Sequence, residues 1–281
     1  MNGTAPDKLQ VLLDLLQSLP SAVIGYSGGV DSAVLCAAAL RALGPGRMLA
    51  CLAVGPSLAD RERVAAEAVA SAADFPLLTY DATEMENPAY LRNGADRCYH
   101  CKTDLFIHLR RLADEAGFTH VLYGANAEDM LDFRPGHRAA HENEARAPLA
   151  EAGLNKEEIR GLARKWNLQC HDKPASPCLS SRISYHQEVT AEKLARIERG
   201  EDLLFSLGFH DFRLRSDNNE ARVEVPLSDI WRFEDLNFMK NVSTHLLSLG
   251  FDKVTLDLKG LRPGNLNSVL SNEERRTAVG A

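Results

Sequence analysis

The sequence predicts an α/β protein: a doubly wound parallel sheet over residues 1–185 and a smaller α+β domain over 186–281. Three observations carry this. Short apolar runs alternate with amphipathic stretches through the first part, the pattern of successive β-α-β units. The first apolar run leads straight into a glycine-rich turn, SGGVDS at 27–32, where such a sheet places its ligands. After about residue 185 the alternation gives way to short strands between longer helices. In order, an amphipathic helix over 7–19 precedes a buried strand over 22–25, and an Ala/Leu-rich helix follows over 31–43. A strand at 48–54 (MLACLAV) leads to a helix over 57–73 opened by Ser57, and a third strand spans 76–80. A helix over 102–116, a strand over 120–123 and a helix over 155–167 with Asn155 as N-cap complete the first part. In the second, a helix over 190–207 ends at Gly208. Strands over 212–215 and 221–225 flank the turn formers SDNN, a long helix covers 227–249 up to Gly250, and a strand over 253–258 leads to Gly260 and a polar tail.

The chain has 281 residues, ample for two domains. Its composition, 45% hydrophobic and 25% charged, is that of a globular protein. No run reaches the length of a membrane span. The opening MNGTAPDKLQ lacks a basic and then apolar leader. The expectation is a cytoplasmic protein with no membrane partner, whose six cysteines are ligands, catalysts or core residues instead of disulfides. Net charge is −7, neither part is basic, and no Lys/Arg stripe is visible. No nucleic-acid partner is therefore expected.

Residues 27–32 carry the first chemistry. Gly28 and Gly29 allow a close backbone approach, and the free N–H groups at the following helix start favour a phosphate. Ser27 and Ser32 add hydroxyl donors. Asp31 beside phosphates makes sense as a ligand of Mg²⁺, a hard cation. The segment also reads more simply as a Ser-capped helix after a glycine turn. It lacks the lysine of a Walker A loop and is not G-x-G-x-x-G.

Cys98 and Cys101 form a C-x-x-C pair, and Cys178 is a third candidate. The pair alone reads as half a zinc site, a redox dithiol or part of an iron–sulfur cluster. Nearby His100 and His171 could complete a zinc site, whereas a redox dithiol leaves Cys178 unexplained. Cys178 lies in PASPCLSSR, rich in turn formers that present side chains. Lys173 and Arg182 nearby would favour its thiolate. Cys36 and Cys51 sit in apolar runs and read as core, and Cys170 is assigned no role.

SGGVDS resembles the PP-loop signature of ATP pyrophosphatases, enzymes that transfer AMP to an acceptor oxygen. With RCYHCK at 97–102, GANAED at 124–129, DFRPG at 132–136, KPASPCLSSRI at 173–183, FRLR at 212–215, ARVEV at 221–225 and LDLKGLRPG at 256–264, nearly the whole chain is similar to the LarE family. These are ATP-dependent sulfur transferases of nickel-pincer cofactor biosynthesis. The PP-loop is shared widely; the later motifs are far more specific. The family has a form with one sacrificial cysteine, at the position of Cys178. In its other form three cysteines hold a 4Fe–4S cluster that carries an added sulfide. Having all three, this chain resembles the cluster form. It departs at Ser184-Tyr185-His186, commonly Pro-Tyr-Gly in the family; His186 is assigned no role, and the local turn is open.

The resemblance implies a PP-loop/Rossmann-like fold akin to the adenine nucleotide alpha hydrolases, with ATP, Mg²⁺ and a 4Fe–4S cluster on Cys98, Cys101 and Cys178 as cofactors. It implies a pyridinium mononucleotide substrate and a homo-oligomer, with the sulfide source unspecified. Adenylation would give each substrate carboxylate a leaving group; sulfide on the cluster, or the Cys178 thiolate, would then attack. Ser27, Gly28, Gly29, Ser32 and Asn126 would hold ATP, with Asp31 on Mg²⁺. Arg213 and Arg215, alternate residues on one strand face, would clamp the substrate phosphate, or simply form a solvated face. Glu224 and Asp257 are candidates for metal or substrate contacts or for ion pairs, and Asn126 and Asp129 for adenylate contact or capping. Arg134 would meet phosphate or an acid, and Trp166 and Trp231 read as core or interface. Rival readings are a PP-loop tRNA thiolase, an amidating synthetase and a zinc-stabilised nucleotide-binding module.

Overall fold

The computed structural model describes residues 7–131, 135–262 and 264–279. Arg134 and the flanking Asp132 and Phe133 lie outside the described residues, as does Pro263 of the last motif. The elements run α1 (Lys8–Gln17), β1 (Ala22–Gly25), α2 (Val30–Leu43), β2 (Met48–Val54), α3 (Asp60–Ala72), β3 (Leu77–Asp81), α4 (Pro88–Leu91), α5 (Arg97–Ala116) and β4 (His120–Tyr123). Then come α6 (Pro135–Glu142), α7 (Pro148–Glu151), α8 (Lys156–Lys165), α9 (Ala191–Ser206), β5 (Arg213–Asp217), β6 (Glu220–Glu224), α10 (Leu236–Ser248), β7 (Lys253–Leu256) and α11 (Asn272–Val279).

β1 to β4 form a parallel sheet in the order β3-β2-β1-β4. Alternation along the strands supplies two apolar faces. Ala22, Ile24, Met48, Ala50 and Leu52 pack with α1, α2, α3 and α8. Val23 and Cys51 pack with Phe106, Leu109 and Ala113 of α5 and Ala139 of α6. Chain order reverses direction between β1 and β4, so the crevice at their carboxyl ends is the switch point of the sheet. The turn at 26–29 and the Gly124 turn meet there. A Cβ on Gly124 would lie 2.7 Å from the Ser32 nitrogen and 2.8 Å from its Cα, so only glycine lets this turn close on the first turn of α2.

The second sheet is mixed: β5 and β6 are antiparallel, and β6 and β7 parallel. The hairpin is longer than SDNN suggests, because Asp217 and Glu220 still pair and the turn is Asn218-Asn219. Asn218 takes φ 51°, which asparagine tolerates. Leu214 and Val223 face a core built with Leu194, Ile197 and Leu204 of α9 and Val242 and Leu246 of α10. That core also takes in Ala59 and Tyr90 from the first part and Leu179 and Ile183 from the connection.

The expected helix over 227–249 is two pieces. A 3₁₀ stretch, Leu227–Glu234, is separated from α10 by Asp235, whose carboxylate caps the Asn237 and Phe238 N–H groups. A carboxylate that satisfies free amides starts a new helix there. Ser57 does not open α3; its hydroxyl donates to Glu84 and the helix begins at Asp60. The helix expected over 102–116 starts five residues earlier, at Arg97, so both C-x-x-C cysteines ride its first turns. Among the described residues no helix is long and apolar enough to cross a membrane.

Replacing Gly124 with alanine should destabilise the protein by about 1–3 kcal/mol, read from urea unfolding, because backbone atoms on both sides of the switch point would have to separate.

Candidate active site

Tyr26 anchors the turn after β1: it is buried, and its hydroxyl donates to the Ala66 carbonyl of α3 at 2.9 Å. Gly28 follows at φ 71°, and a Cβ there would meet the Ala66 Cβ at 2.6 Å. Gly29 opens α2 with no side-chain cap, so its first N–H groups face the crevice with the dipole behind them, a geometry suited to phosphate. The Ser32 hydroxyl donates to the Gly29 carbonyl (3.0 Å), accepts from the Ser27 N–H (3.2 Å) and meets the Ser27 hydroxyl (3.1 Å). Here the two serines hold the turn's shape.

Asp31 carries one oxygen on Lys156 (2.5 Å), while its other oxygen is buried with no hydrogen-bond partner. A buried carboxylate oxygen left open suits a hard cation. Lys156 was not foreseen. The capping box of Asn155 and Glu158 begins α8 there and sends the next side chain toward the switch point; only the word NKEE, with a cap before a lysine, hinted at it. Lys173 differs from expectation. It bonds Glu62 at 2.7 Å and reaches the Gly28 carbonyl at 3.4 Å, so it serves the phosphate turn and not Cys178. Arg160 fixes this by donating to the His171 and Lys173 carbonyls.

Asn126 and Asp129 cap one another's loop: Asn126 Oδ1 accepts from the Glu128 and Asp129 N–H groups, and Asp129 Oδ2 from the Asn126 N–H. Both are buried beside the switch point. Trp166 ends α8 with Arg41 4.2 Å over its ring; Trp231 is exposed.

A cavity of about 270 Å³ lies between the two sheets. Arg61 and Glu62 line it from α3, Lys173 to Ser176 from the connection, Glu201 and Phe205 from α9, and Phe212 and Arg213 from the second sheet, with Arg182 and His210. Arg213 and Arg215 do share a strand face, with Glu224 and Arg222 opposite them. Arg213 donates to the Ala175 carbonyl and lies 3.4 Å from Asp211. Arg215 is buried against Glu224 (2.9 Å) and the Ser181 carbonyl (2.8 Å). Burial lowers the pKa of both, and for Arg213 the Arg182 guanidinium adds to it. Only Arg213 reaches the cavity wall. Glu224 is fully buried and also accepts from Asn265 at 2.7 Å. Asp257 accepts from the Lys259 N–H and lies 3.6 Å from Arg262.

Glu201, fully buried, joins these parts. Its carboxylate meets Arg182 (2.8 Å), Arg61 (2.7 Å) and the Leu214 N–H (3.1 Å). Burial raises its pKa, but the two guanidinium groups and the amide overcome this and hold it below the ordinary 4.5.

Cys178 is exposed and precedes a 3₁₀ turn, Leu179–Arg182; Cys98 is exposed and Cys101 half-buried. Cys101 is pushed up to about 12, chiefly by burial, and Cys178 and Cys98 add to the shift. Among the described residues no three His, Cys, Asp or Glu side chains gather closely enough to hold a single metal ion. His100 bonds Asp96 (3.0 Å), and His171 lies beside Asp172. Cys36, Cys51 and Cys170 are core residues. His186 has φ 65°, so it adopts the left-handed turn a glycine would make, and its ring meets Glu274 of α11 at 3.0 Å.

No family model matches the chain. It is 33% identical over 275 residues to the pyridinium-3,5-bisthiocarboxylic acid mononucleotide synthase of Lactiplantibacillus plantarum, covering 98% of this chain and 99% of that protein. An uncharacterised protein of Synechocystis is 42% identical over 265 residues, 94% of this chain and 98% of its own length. One from Methanocaldococcus jannaschii is 28% identical over 169 residues, 60% and 65% respectively.

Glu201→Ala should cost about 3–5 kcal/mol, since it leaves Arg182 buried and unpaired. The stability that Glu201 contributes is fully present above its unfolded pKa of 4.5. It is lost as the pH falls below that value through the lower folded pKa. Denaturant melts of the wild type should therefore fall away below about pH 4.5 more steeply than those of Glu201→Ala.

Proposed function

The chain belongs to the family of pyridinium-3,5-bisthiocarboxylic acid mononucleotide synthases, and we propose that it is an ATP-dependent sulfur transferase acting on the carboxylates of a pyridinium mononucleotide. Sulfur transfer in the making of the nickel-pincer cofactor is the activity that this membership supports. The observation that carries the finer reading is the connection from Lys173 to Cys178. At one end Lys173 touches the phosphate turn, in the middle Pro174 to Ser176 line the arginine-rich cavity, and at the other end stands Cys178.

In this reading the uncapped start of α2 and the Ser27–Gly29 turn bind the phosphates of ATP, and the open oxygen of Asp31 would hold Mg²⁺, which would supply charge stabilisation to the departing pyrophosphate. Lys156, on the other Asp31 oxygen, would add a second positive charge beside those phosphates. A carboxylate cannot expel oxide; once adenylated it expels AMP. Arg213, the least satisfied guanidinium at the cavity wall, orients the anionic substrate, and bidentate guanidinium contacts suit both carboxylate and phosphate. Asn126 and Asp129 hold the loop that borders the adenylate.

The donor set supports a 4Fe–4S cluster on Cys98, Cys101 and Cys178. Thiolates are the usual ligands of such a cluster, each on a different iron. Such a cluster would supply a sulfide nucleophile and leave the protein chain intact. The specific observation behind a second reading is the exposure of Cys178: its own thiolate can attack, and the chain then gives up its sulfur once. Assembly of copies and a cytoplasmic setting belong to the same proposal through the family.

The test combines protein, ATP, Mg²⁺ and the pyridinium dicarboxylate mononucleotide, with and without anaerobic loading of iron and sulfide. Expected are pyrophosphate and thiocarboxylate over many turnovers in the loaded protein when excess sulfide is supplied, one sulfide consumed for each thiocarboxylate formed. At most one turnover per chain, with Cys178 losing hydrogen sulfide in the mass spectrum, would favour the sacrificial reading. Thiolation of tRNA instead of the mononucleotide would overturn the substrate assignment. Asp31→Asn should lower pyrophosphate release by about 100-fold or more, as expected when charge stabilisation at the departing group is removed.

A further inference from the structure

The C-x-x-C pair and Cys178 are 77 or more residues apart and sit on different elements, so something must set their separation. Neither element's own capping does so. Asp96 and Cys178 precede the two helical starts without side-chain caps. The residue between them is Arg97, buried at 3% exposure beside Cys98. Its guanidinium donates to Asn93 Oδ1 at 2.5 Å and to the Ser180 carbonyl at 2.8 Å. Asn93, fully buried at φ 56°, passes the restraint on by donating to the Ser184 and Gln187 carbonyls, both at 2.9 Å.

We propose that Arg97 is the positioning residue of the thiol site: it ties the first turn of α5, with Cys98 and Cys101, to the turn carrying Cys178, and so fixes the gap between the pair and the third thiol. The surroundings agree: Arg97 has no carboxylate partner among the described residues, so this buried guanidinium is held by the Asn93 side chain, the Ser180 carbonyl and the Tyr185 ring 5.8 Å away, all of them parts of the junction between α5 and the Cys178 turn. The Cys178 turn has other anchors. Leu179 N–H donates to the Ser57 carbonyl, Arg182 holds the Pro177 carbonyl, and the Tyr90 and Ser180 hydroxyls meet. Loss of Arg97 therefore frees the first turn of α5 from the Cys178 turn, while these contacts and the Arg182–Glu201 pair keep that turn attached to the rest of the molecule. This inference rests on the sulfur-transfer reading only in taking the three thiols as the working groups.

The test needs no metal, ATP or substrate. Reduced, chelator-treated protein is treated with dibromobimane, which bridges thiols a few ångströms apart, and the bridged peptides are mapped by mass spectrometry. The Cys98–Cys101 bridge, within one helical segment, is the internal standard. In wild type, bridges from Cys178 to the pair should form beside it. In Arg97→Gln their ratio to the standard should fall about tenfold, in line with losing charge-assisted hydrogen bonds, at an unchanged circular dichroism spectrum. Arg97→Lys, which keeps the charge but not the fork, should fall between. A wild-type ratio in Arg97→Gln overturns the proposal, as does a wild-type protein that forms only the Cys98–Cys101 bridge. If Arg97→Gln does not fold, Arg97→Lys decides, and a wild-type ratio there overturns it. An enzyme inactive in sulfur transfer that keeps the expected bridging pattern refutes the functional reading and leaves the positioning role standing.

Discussion

Everything between the two sheets depends on one buried ion pair. Glu201 of α9 has no solvent contact, and Arg182 opposite it almost none. The pair is tolerable only because the carboxylate is saturated: two guanidinium groups and an amide converge on it. Each partner comes from a different piece of the molecule. Arg61 belongs to α3 beside the phosphate turn, Arg182 to the turn carrying Cys178, and the Leu214 amide to the strand carrying Arg213 and Arg215. The cavity exists where it does because one anion binds those three pieces together.

Cationic side chains concentrate around that anion although the chain as a whole is acidic, at −7. Arg61 and Arg182 are committed to Glu201, and Arg215 to Glu224. Arg213 has weaker protein partners, main-chain carbonyls and an acid at 3.4 Å. An incoming anion would find in it a guanidinium already held in place and only partly satisfied, which lowers the cost of ordering on binding. Lys156 and Lys173 likewise stand at the phosphate turn on internal carboxylates that a nucleotide and its metal could displace.

Backbone closeness governs the other end of the site. Gly124 lies against the Ser32 backbone, and Gly28 against Ala66, so the phosphate turn is gripped from both sides of β1. The left-handed His186 shows the converse. The turn keeps a glycine-like shape with a bulkier residue, and its ring is held by Glu274 of the last helix.

By itself the sequence determined the local matters. Strand and helix alternation, the glycine turn after the first strand, and Asn155 as a cap follow from periodicity and capping, which act over a few residues. Cys36 and Cys51 as core followed from the apolar runs around them. The family resemblance supplied the roles proposed for Cys98, Cys101 and Cys178. Other features needed the fold, because they join residues far apart in the chain. Lys156 meets Asp31 across 125 positions, and Lys173 bonds Glu62 and not the cysteine near it in sequence. Arg215 is spent on Glu224 while Arg213 borders the cavity. The break at Asp235 also escaped the pattern, because an apolar 3₁₀ stretch and a helix share a similar spacing until a carboxylate caps the second. Short-range propensity reaches as far as a turn or a strand; the partner of a buried charge is chosen by whatever packing brings within hydrogen-bond reach.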